Sequence, residues 1–198
     1  MSLQELSDSV NRLALQIQHL TARLDTALLA KSAPAAKKLK RKCAPAAEGV
    51  FRIASTTKNS PYSKLSPLYK AEFTVDDKIY KTVEHYVQAT KYETTKPDLE
   101  VQLLAMDKAQ LLRMTGTAKK YAEFVDPEYD IRLAYCQGFV RQLRQHKELR
   151  SLLESTGEAF IESESTDPVL GVGVDGEGEN IIGNALRATR WWLKTHYS

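Results

Sequence analysis

Apolar residues near the amino terminus recur in a strict three-four alternation: Leu3, Leu6, Val10, Leu13, Ile17, Leu20, Leu24 and Ala27. With Leu3, Val10, Ile17 and Leu24 at a positions and the others at d, the spacing predicts a coiled-coil helix over residues 1–30, seamed through 3–27. β-Branched Val10 and Ile17 at a, with leucine at most d positions, lean towards a parallel dimer. The small, weakly charged e and g residues (Ser7, Ser9, Ala14, Gln16, Thr21, Arg23) leave a trimer or tetramer open. A single amphipathic helix docked on the body would carry the same pattern.

The body, residues 50–198, reads differently. Phe51–Ala54 has the makings of a short strand, and Asn59–Leu68, rich in Ser, Pro and Tyr, reads as a loop. Glu72–Val75 and Lys78–Tyr80 suit a hairpin around Asp76-Asp77. Thr82 is an N-cap candidate for a helix through Tyr92, a segment that Pro97 ends. Leu99–Arg113 reads as one helix and Ala118–Phe124 as a short one. Asp130–Gln145 has an apolar face of Ile131, Ala134, Tyr135 and Val140. Lys147–Ser155 is helical and stops at Gly157, a C-cap candidate. Phe160–Ser163 reads as a strand, Asp167–Glu179 as a glycine-rich loop, and Asn180–Lys194 as a last amphipathic helix. The sum is an α+β domain, predominantly α-helical, preceded by the coiled-coil helix.

Between helix and body lies a linker, residues 31–49, in which Pro34 and Pro45 block a continuous helix. Charge is concentrated there. The formal net charge is +3, yet Lys31, Lys37, Lys38, Lys40, Arg41 and Lys42 face one acid, Glu48, so the remainder of the chain is slightly acidic. The run Lys37, Lys38, Lys40, Arg41, Lys42 fits a nuclear import signal, a nucleic-acid contact or a solubilising linker. No run approaches the roughly 18 apolar residues of a membrane helix, and no signal-peptide core follows the start, so no membrane partner is expected. Cys43 and Cys136 make no disulfide framework, which suits a reducing, intracellular and cytoplasmic setting, or a nuclear one if a eukaryotic host reads the basic run. The four histidines are scattered, so no metal and no cofactor are expected.

The chemistry is concentrated in Val83–Tyr92. On a helix, Glu84, Gln88 and Lys91 fall at i, i+4 and i+7, placing a carboxylate, an amide and an amine on one stripe. A Glu and a Lys together suit an acid–base or nucleophile pair. The plain alternative is a solvated face of an amphipathic helix. Gly171-Val172-Gly173-Val174-Asp175-Gly176 matches the dinucleotide fingerprint, but the chain ends too soon after it for the βαβ unit and the acidic residue that a Rossmann domain requires. What remains is a tight loop feeding a helix, whose backbone amides could meet phosphate, but Asp175, Glu177 and Glu179 argue against an anion there and would instead face ribose hydroxyls or solvent.

Several segments then line up in order: Ser60-Pro61-Tyr62-Ser63-Lys64-Leu65-Ser66, Phe73-Thr74-Val75-Asp76, Thr82-Val83-Glu84-His85-Tyr86, Gln88-Ala89-Thr90-Lys91-Tyr92, Leu152–Gly157, Ile161-Glu162-Ser163, Asp167, Gly171–Asn180, Ile182-Gly183-Asn184-Ala185-Leu186 and Arg190. Together, over about residues 51–193, this resembles the NADAR family, which includes YbiA-type N-glycosidases. The resemblance implies hydrolysis of an N-glycosidic bond to a ribose. The substrate would be an ADP-ribosylated guanine base, free or in nucleic acid, or an aminoribosyl-pyrimidine phosphate of riboflavin synthesis. It implies Glu84, Lys91 and Asp167 as catalytic residues. It also implies Gln88, Tyr62, Leu170, Gly171, Gly173, Asn180 and Arg190 as substrate-binding residues. The chain departs from the family pattern at Leu170, where the family has Trp, at Asp76-Asp77 for Asp-Gly, at Ser66-Pro67-Leu68 for Ser-Asn-Phe, and at Tyr129 for Trp. The expected molecule is an N-glycosidase, homo-oligomeric through residues 3–27, with the basic linker as a further nucleic-acid contact. The rival is a non-catalytic structural protein, or an ADP-ribose or nucleic-acid binder, built on the same domain.

Overall fold

A computed structural model of the chain describes residues 49–53, 61–115 and 118–197. The heptad segment 3–27 and the basic residues Lys37, Lys38, Lys40, Arg41 and Lys42 lie outside the described residues.

The elements run β1 (Val50–Ile53), a 3-10 turn (Pro61–Leu65), β2 (Phe73–Val75), β3 (Lys78–Tyr80), α1 (Val83–Thr90), α2 (Pro97–Ala105), α3 (Lys108–Thr115), a second 3-10 segment (Ala118–Phe124), α4 (Ile131–Gln145), α5 (Lys147–Glu154), β4 (Phe160–Ser163) and α6 (Ile181–His196). The α+β, mostly helical expectation holds for these residues. Helix α4 is the hub, packing on α6 along one flank and on α1 along another. Gly138 lets α1 come that close, since a Cβ there would meet Val83 Cγ1 at 2.9 Å and Tyr86 Cδ1 at 3.0 Å. Phe73, Tyr80 and Tyr86 form an aromatic knot between the hairpin and α1, with centroids 5.1–6.1 Å apart.

Among the described residues each of the two sheets has two strands: β1 pairs with β4 in parallel, and β2 with β3 antiparallel. Side-chain amides supply what further strands would. Gln145 donates to Thr74 O (2.9 Å) and accepts from Thr74 N (3.0 Å). Asn180 donates to Ile161 O (2.8 Å) and accepts from Ser163 N (2.9 Å). Each amide satisfies a backbone donor and acceptor that would otherwise be unpaired in the interior or at a sheet edge. The hairpin turns where expected, with Asp76 at φ 48° and Asp77 at φ 64°.

Two expectations are corrected. Pro97 does not end a helix but opens α2 at its first turn, where its missing N–H costs nothing. The run Leu99–Arg113 is two helices. Met106 turns extended (ψ 150°), and Asp107 Oδ1 accepts from Gln110 N at 2.7 Å to start α3 afresh. The break has a tertiary cause: the carbonyl of Met106 leaves the helical ladder and accepts from Lys81 Nζ (2.8 Å) and His85 Nε2 (3.1 Å). The segment Ala118–Phe124 is 3-10 rather than α, and Pro61–Leu65 coils within the expected loop.

Candidate active site

Helix α1 begins at Thr82, whose Oγ1 accepts from His85 N at 3.2 Å. The carbonyl of Met106 can only accept, so His85 carries its proton on Nε2, and Nδ1 receives the Thr82 hydroxyl at 2.8 Å. Burial holds the imidazole pKa below its ordinary value. Glu84 N donates to Pro67 O (2.9 Å), so the Ser66-Pro67-Leu68 segment lies against the start of the helix. All seven residues from Val83 to Ala89 are buried. The stripe of Glu84, Gln88 and Lys91 is therefore not a solvated face.

A buried carboxylate needs partners, and Glu84 has two. Its Oε2 accepts from Tyr135 Oη at 2.8 Å, and its Oε1 from Gln88 Nε2 at 2.7 Å. Gln88 Oε1 accepts in turn from Lys91 Nζ at 2.9 Å. Burial pushes the Lys91 amine below the ordinary lysine pKa, and the charge of Glu84 pulls the other way. The ring of Tyr129 lies 5.9 Å from Nζ, while its hydroxyl donates to Val87 O at 2.7 Å. Burial, then the neighbouring Glu84, drives the Tyr135 hydroxyl well above the usual tyrosine range. The resulting chain, amine to amide to carboxylate to phenol, offers a general base, a polarised amine and two lone-pair sites on the carboxylate for a substrate or a water.

Asp167 belongs to the neighbourhood at longer range, its charge acting on Tyr135. It is exposed, and its Oδ1 accepts from Val169 N (2.8 Å) and Leu170 N (3.1 Å), bonds that fix the turn. The glycine loop spends its amides on itself: Gly171 N reaches Asp167 O, Val172 N reaches Ser163 O, and Gly173 N reaches Ser165 O. Ile181 N and Ile182 N, at the start of α6, donate to Val169 O and Leu170 O. Those five amides are taken, tying the loop to Ser163, Ser165 and Asp167 and to the start of α6. Gly171 is needed for that closure, because a Cβ would stand 2.6 Å from Ser163 O.

The remaining expected residues bond or pack elsewhere than on Glu84, Gln88 or Lys91. Asn180 bonds β4 as described. Arg190 is buried and donates to Thr156 Oγ1 (2.6 Å) and Ala159 O (3.0 Å). Tyr62 stacks edge-on against Phe51 at 4.7 Å. Leu170 is half-buried against the core. A cleft of about 320 Å³ opens on the opposite flank of α1, lined by Tyr86, Thr90, Thr94, Tyr129, Gln137 and Arg141 among others. It faces away from the Glu84 stripe, since Tyr86 and Thr90 lie half a helical turn round from Glu84 and Gln88. Glu84, Gln88 and Lys91 do not line the cleft. No group of His, Cys, Asp and Glu among the described residues could hold a metal ion. No described helix is long and apolar enough to cross a membrane.

Tyr135 and the stacking role of Tyr129 escaped the sequence reading. A tyrosine within an apolar helix face was the available signal, because a buried phenol seeks a partner. Nothing in the spacing names a carboxylate 51 residues away as that partner.

Comparison with known proteins places this geometry. Residues 54–194 match the NADAR domain family. The chain is 31% identical over 135 residues to a riboflavin biosynthesis protein of Vibrio vulnificus; this region is 67% of the chain and 36% of that protein, so the chain spans about a third of its relative's length. The fold is similar to the solution structure of the Escherichia coli protein YbiA, with a TM-score of 0.60 at 22% identity, over 80% of this chain and 95% of that one.

Proposed function

Since the chain belongs to the NADAR family, we propose that it is an N-glycosidase that hydrolyses the C–N bond between a ribose and a base. The observation that carries the reading is Glu84, a buried carboxylate held by two donors and linked through one amide to the amine of Lys91. Cleaving a ribosyl C–N bond builds positive charge at C1′ and negative charge on the departing base. Glu84 stabilises the first and takes a proton from the attacking water. Lys91 in its ammonium form gives a proton to the base. In its neutral form, favoured by burial, the amine can instead attack C1′; the base departs with the bonding pair, the sugar ring opens to a Schiff base, and water releases it. Asp167 positions the ribose or the water.

Two substrates fit: ADP-ribose joined to a guanine base, and an aminoribosyl-pyrimidine phosphate. The riboflavin biosynthesis name of the Vibrio relative favours the second. The basic run Lys37–Lys42 favours the first, because cations near a polyanion add sequence-independent affinity. A homo-oligomer through residues 3–27 belongs to the same proposal. One observation favours a binding module instead: Leu170 offers no aromatic face on which a base could stack.

The test is product analysis by mass spectrometry with both substrate classes, comparing wild type with Glu84→Gln and Lys91→Met. The expectation is release of free base by wild type, and loss of about 100-fold or more in each variant. Borohydride trapping of a sugar adduct at Lys91 separates the two roles of the amine. Binding of either ligand without turnover would sink the enzyme reading.

A further inference from the structure

We propose that Gln88 and Tyr135 are positioning residues that tie Glu84 and Lys91 into one acid–base unit, with Gln88 acting between the two reacting groups rather than on the substrate. What the unit does rests on the N-glycosidase reading; that it exists rests on the bonds alone.

A carboxamide has a donor end and an acceptor end, and here each end is committed. Gln88 Oε1 accepts from Lys91 Nζ at 2.9 Å, so Nε2 must face the other way, where it meets Glu84 Oε1 at 2.7 Å. Reversing the amide would set its oxygen against the carboxylate and its N–H₂ against the ammonium, two repulsive contacts at once. The observed orientation therefore matches a charged amine with an ionised carboxylate, and a change of proton at either end is felt at the other through the amide. Tyr135 fixes the far oxygen at 2.8 Å from a helix that packs directly on α1. Both groups are buried, Gln88 at 9% exposure and Tyr135 at 0%. A side chain so enclosed and doubly bonded is a poor substrate contact, because reaching a ligand would break both of its bonds. Ordinary solvation would not replace them. Holding the carboxylate with two donors from rigid helices confines the angle at which its remaining lone pairs point, and that is what a positioned base requires.

The test uses the full chain with carbon-13 at the lysine ε position, and follows Lys91 by NMR as pH is raised. In Gln88→Met, a variant of similar length and good helix propensity, the ammonium loses its acceptor, and its titration moves to lower pH. In Glu84→Gln it also moves to lower pH, because the attracting charge is gone. An unchanged Lys91 titration in either variant overturns the coupling. Kinetics give a second reading: Gln88→Met and Tyr135→Phe lower kcat about tenfold or more with KM within about twofold. A raised KM with unchanged kcat for Gln88→Met would make Gln88 a substrate contact and overturn the proposal. The titration needs no substrate, so a wild-type protein that turns over no ribosyl base would refute the enzyme reading and leave the Lys91 result standing by itself. Should Gln88→Met fail to fold, Glu84→Gln and Tyr135→Phe carry the same two readouts.

Discussion

Replacing Gly183 with alanine sets two effects of known size against each other. Gly183 sits in the first turn of α6, and alanine in place of glycine in a helix is worth about 1 kcal/mol in favour of folding. The added Cβ, however, would stand 2.2 Å from Ile161 O and 2.5–2.6 Å from the carboxamide of Asn180. A carbon and a carbonyl oxygen rest at about 3.3 Å or more. Helix and strand must therefore part by about 1 Å, or the amide must leave. All three atoms that the Cβ strikes belong to the Asn180 bridge to Ile161 O and Ser163 N. Losing two such bonds costs about 0.5–1.5 kcal/mol each, and overpacking adds about 1–3 kcal/mol. The steric side wins, giving a net destabilisation of about 1–5 kcal/mol. Urea unfolding of Gly183→Ala, beside Ala188→Gly on the exposed face of the same helix as a propensity control, measures it. The control should lose about 1 kcal/mol. If Gly183→Ala were as stable as wild type or more so, the reasoning would be refuted, for propensity would then have outweighed the contact.

Three further outcomes are expected. His85 is neutral in the fold and its pKa is depressed by burial, so the unfolded chain takes up a proton first as pH falls. Its contribution is complete above about pH 6.5 and is lost below it. The loss of urea stability between about pH 7 and about pH 5 should be smaller in His85→Asn, and an equal loss would count against the assignment. Lys78 Nζ bridges Glu93 at 2.8 Å and the buried Glu100 at 2.7 Å. Lys78→Met should therefore cost about 1–3 kcal/mol, and Glu100→Gln in the same chain should recover part of it; additive losses would argue against the bridge. Asp77 holds φ 64° in the hairpin turn, a conformation that glycine adopts freely. Asp77→Gly should stabilise by about 0.5–1 kcal/mol in thermal unfolding, and a loss would show that the aspartate side chain matters there.

Local patterning reached far along this chain. Thr82 as a cap, the hairpin at Asp76-Asp77, and helices α1, α4, α5 and α6 all follow from period, capping and turn chemistry, which act over a few residues. The alignment of Glu84, Gln88 and Lys91 on one stripe is helical geometry and needs no partner to be stated. The family is legible for a similar reason, since its ordered short motifs are contiguous in sequence. Where the reading fell short, a remote contact had overridden a local preference. Leu99–Arg113 has no proline or glycine, and the chain breaks at Met106, where Lys81 and His85 claim its carbonyl and Asp107 and Gln110 cap the next helix reciprocally. The glycine loop matches the dinucleotide fingerprint, but the amides of Gly171, Val172 and Gly173 bond to Asp167, Ser163 and Ser165.

The sequence by itself determined the elements, the polar stripe and the family, because each is written in residues a few positions apart. Tertiary structure decided that the stripe is buried, that Tyr135 and not solvent meets Glu84, and that Gln88 stands between carboxylate and amine. It also turned Asn180 and Arg190 to holding the backbone and a neighbouring loop. Those outcomes depend on which helix faces which across the core, and residues far apart in sequence meet only when the apolar faces close.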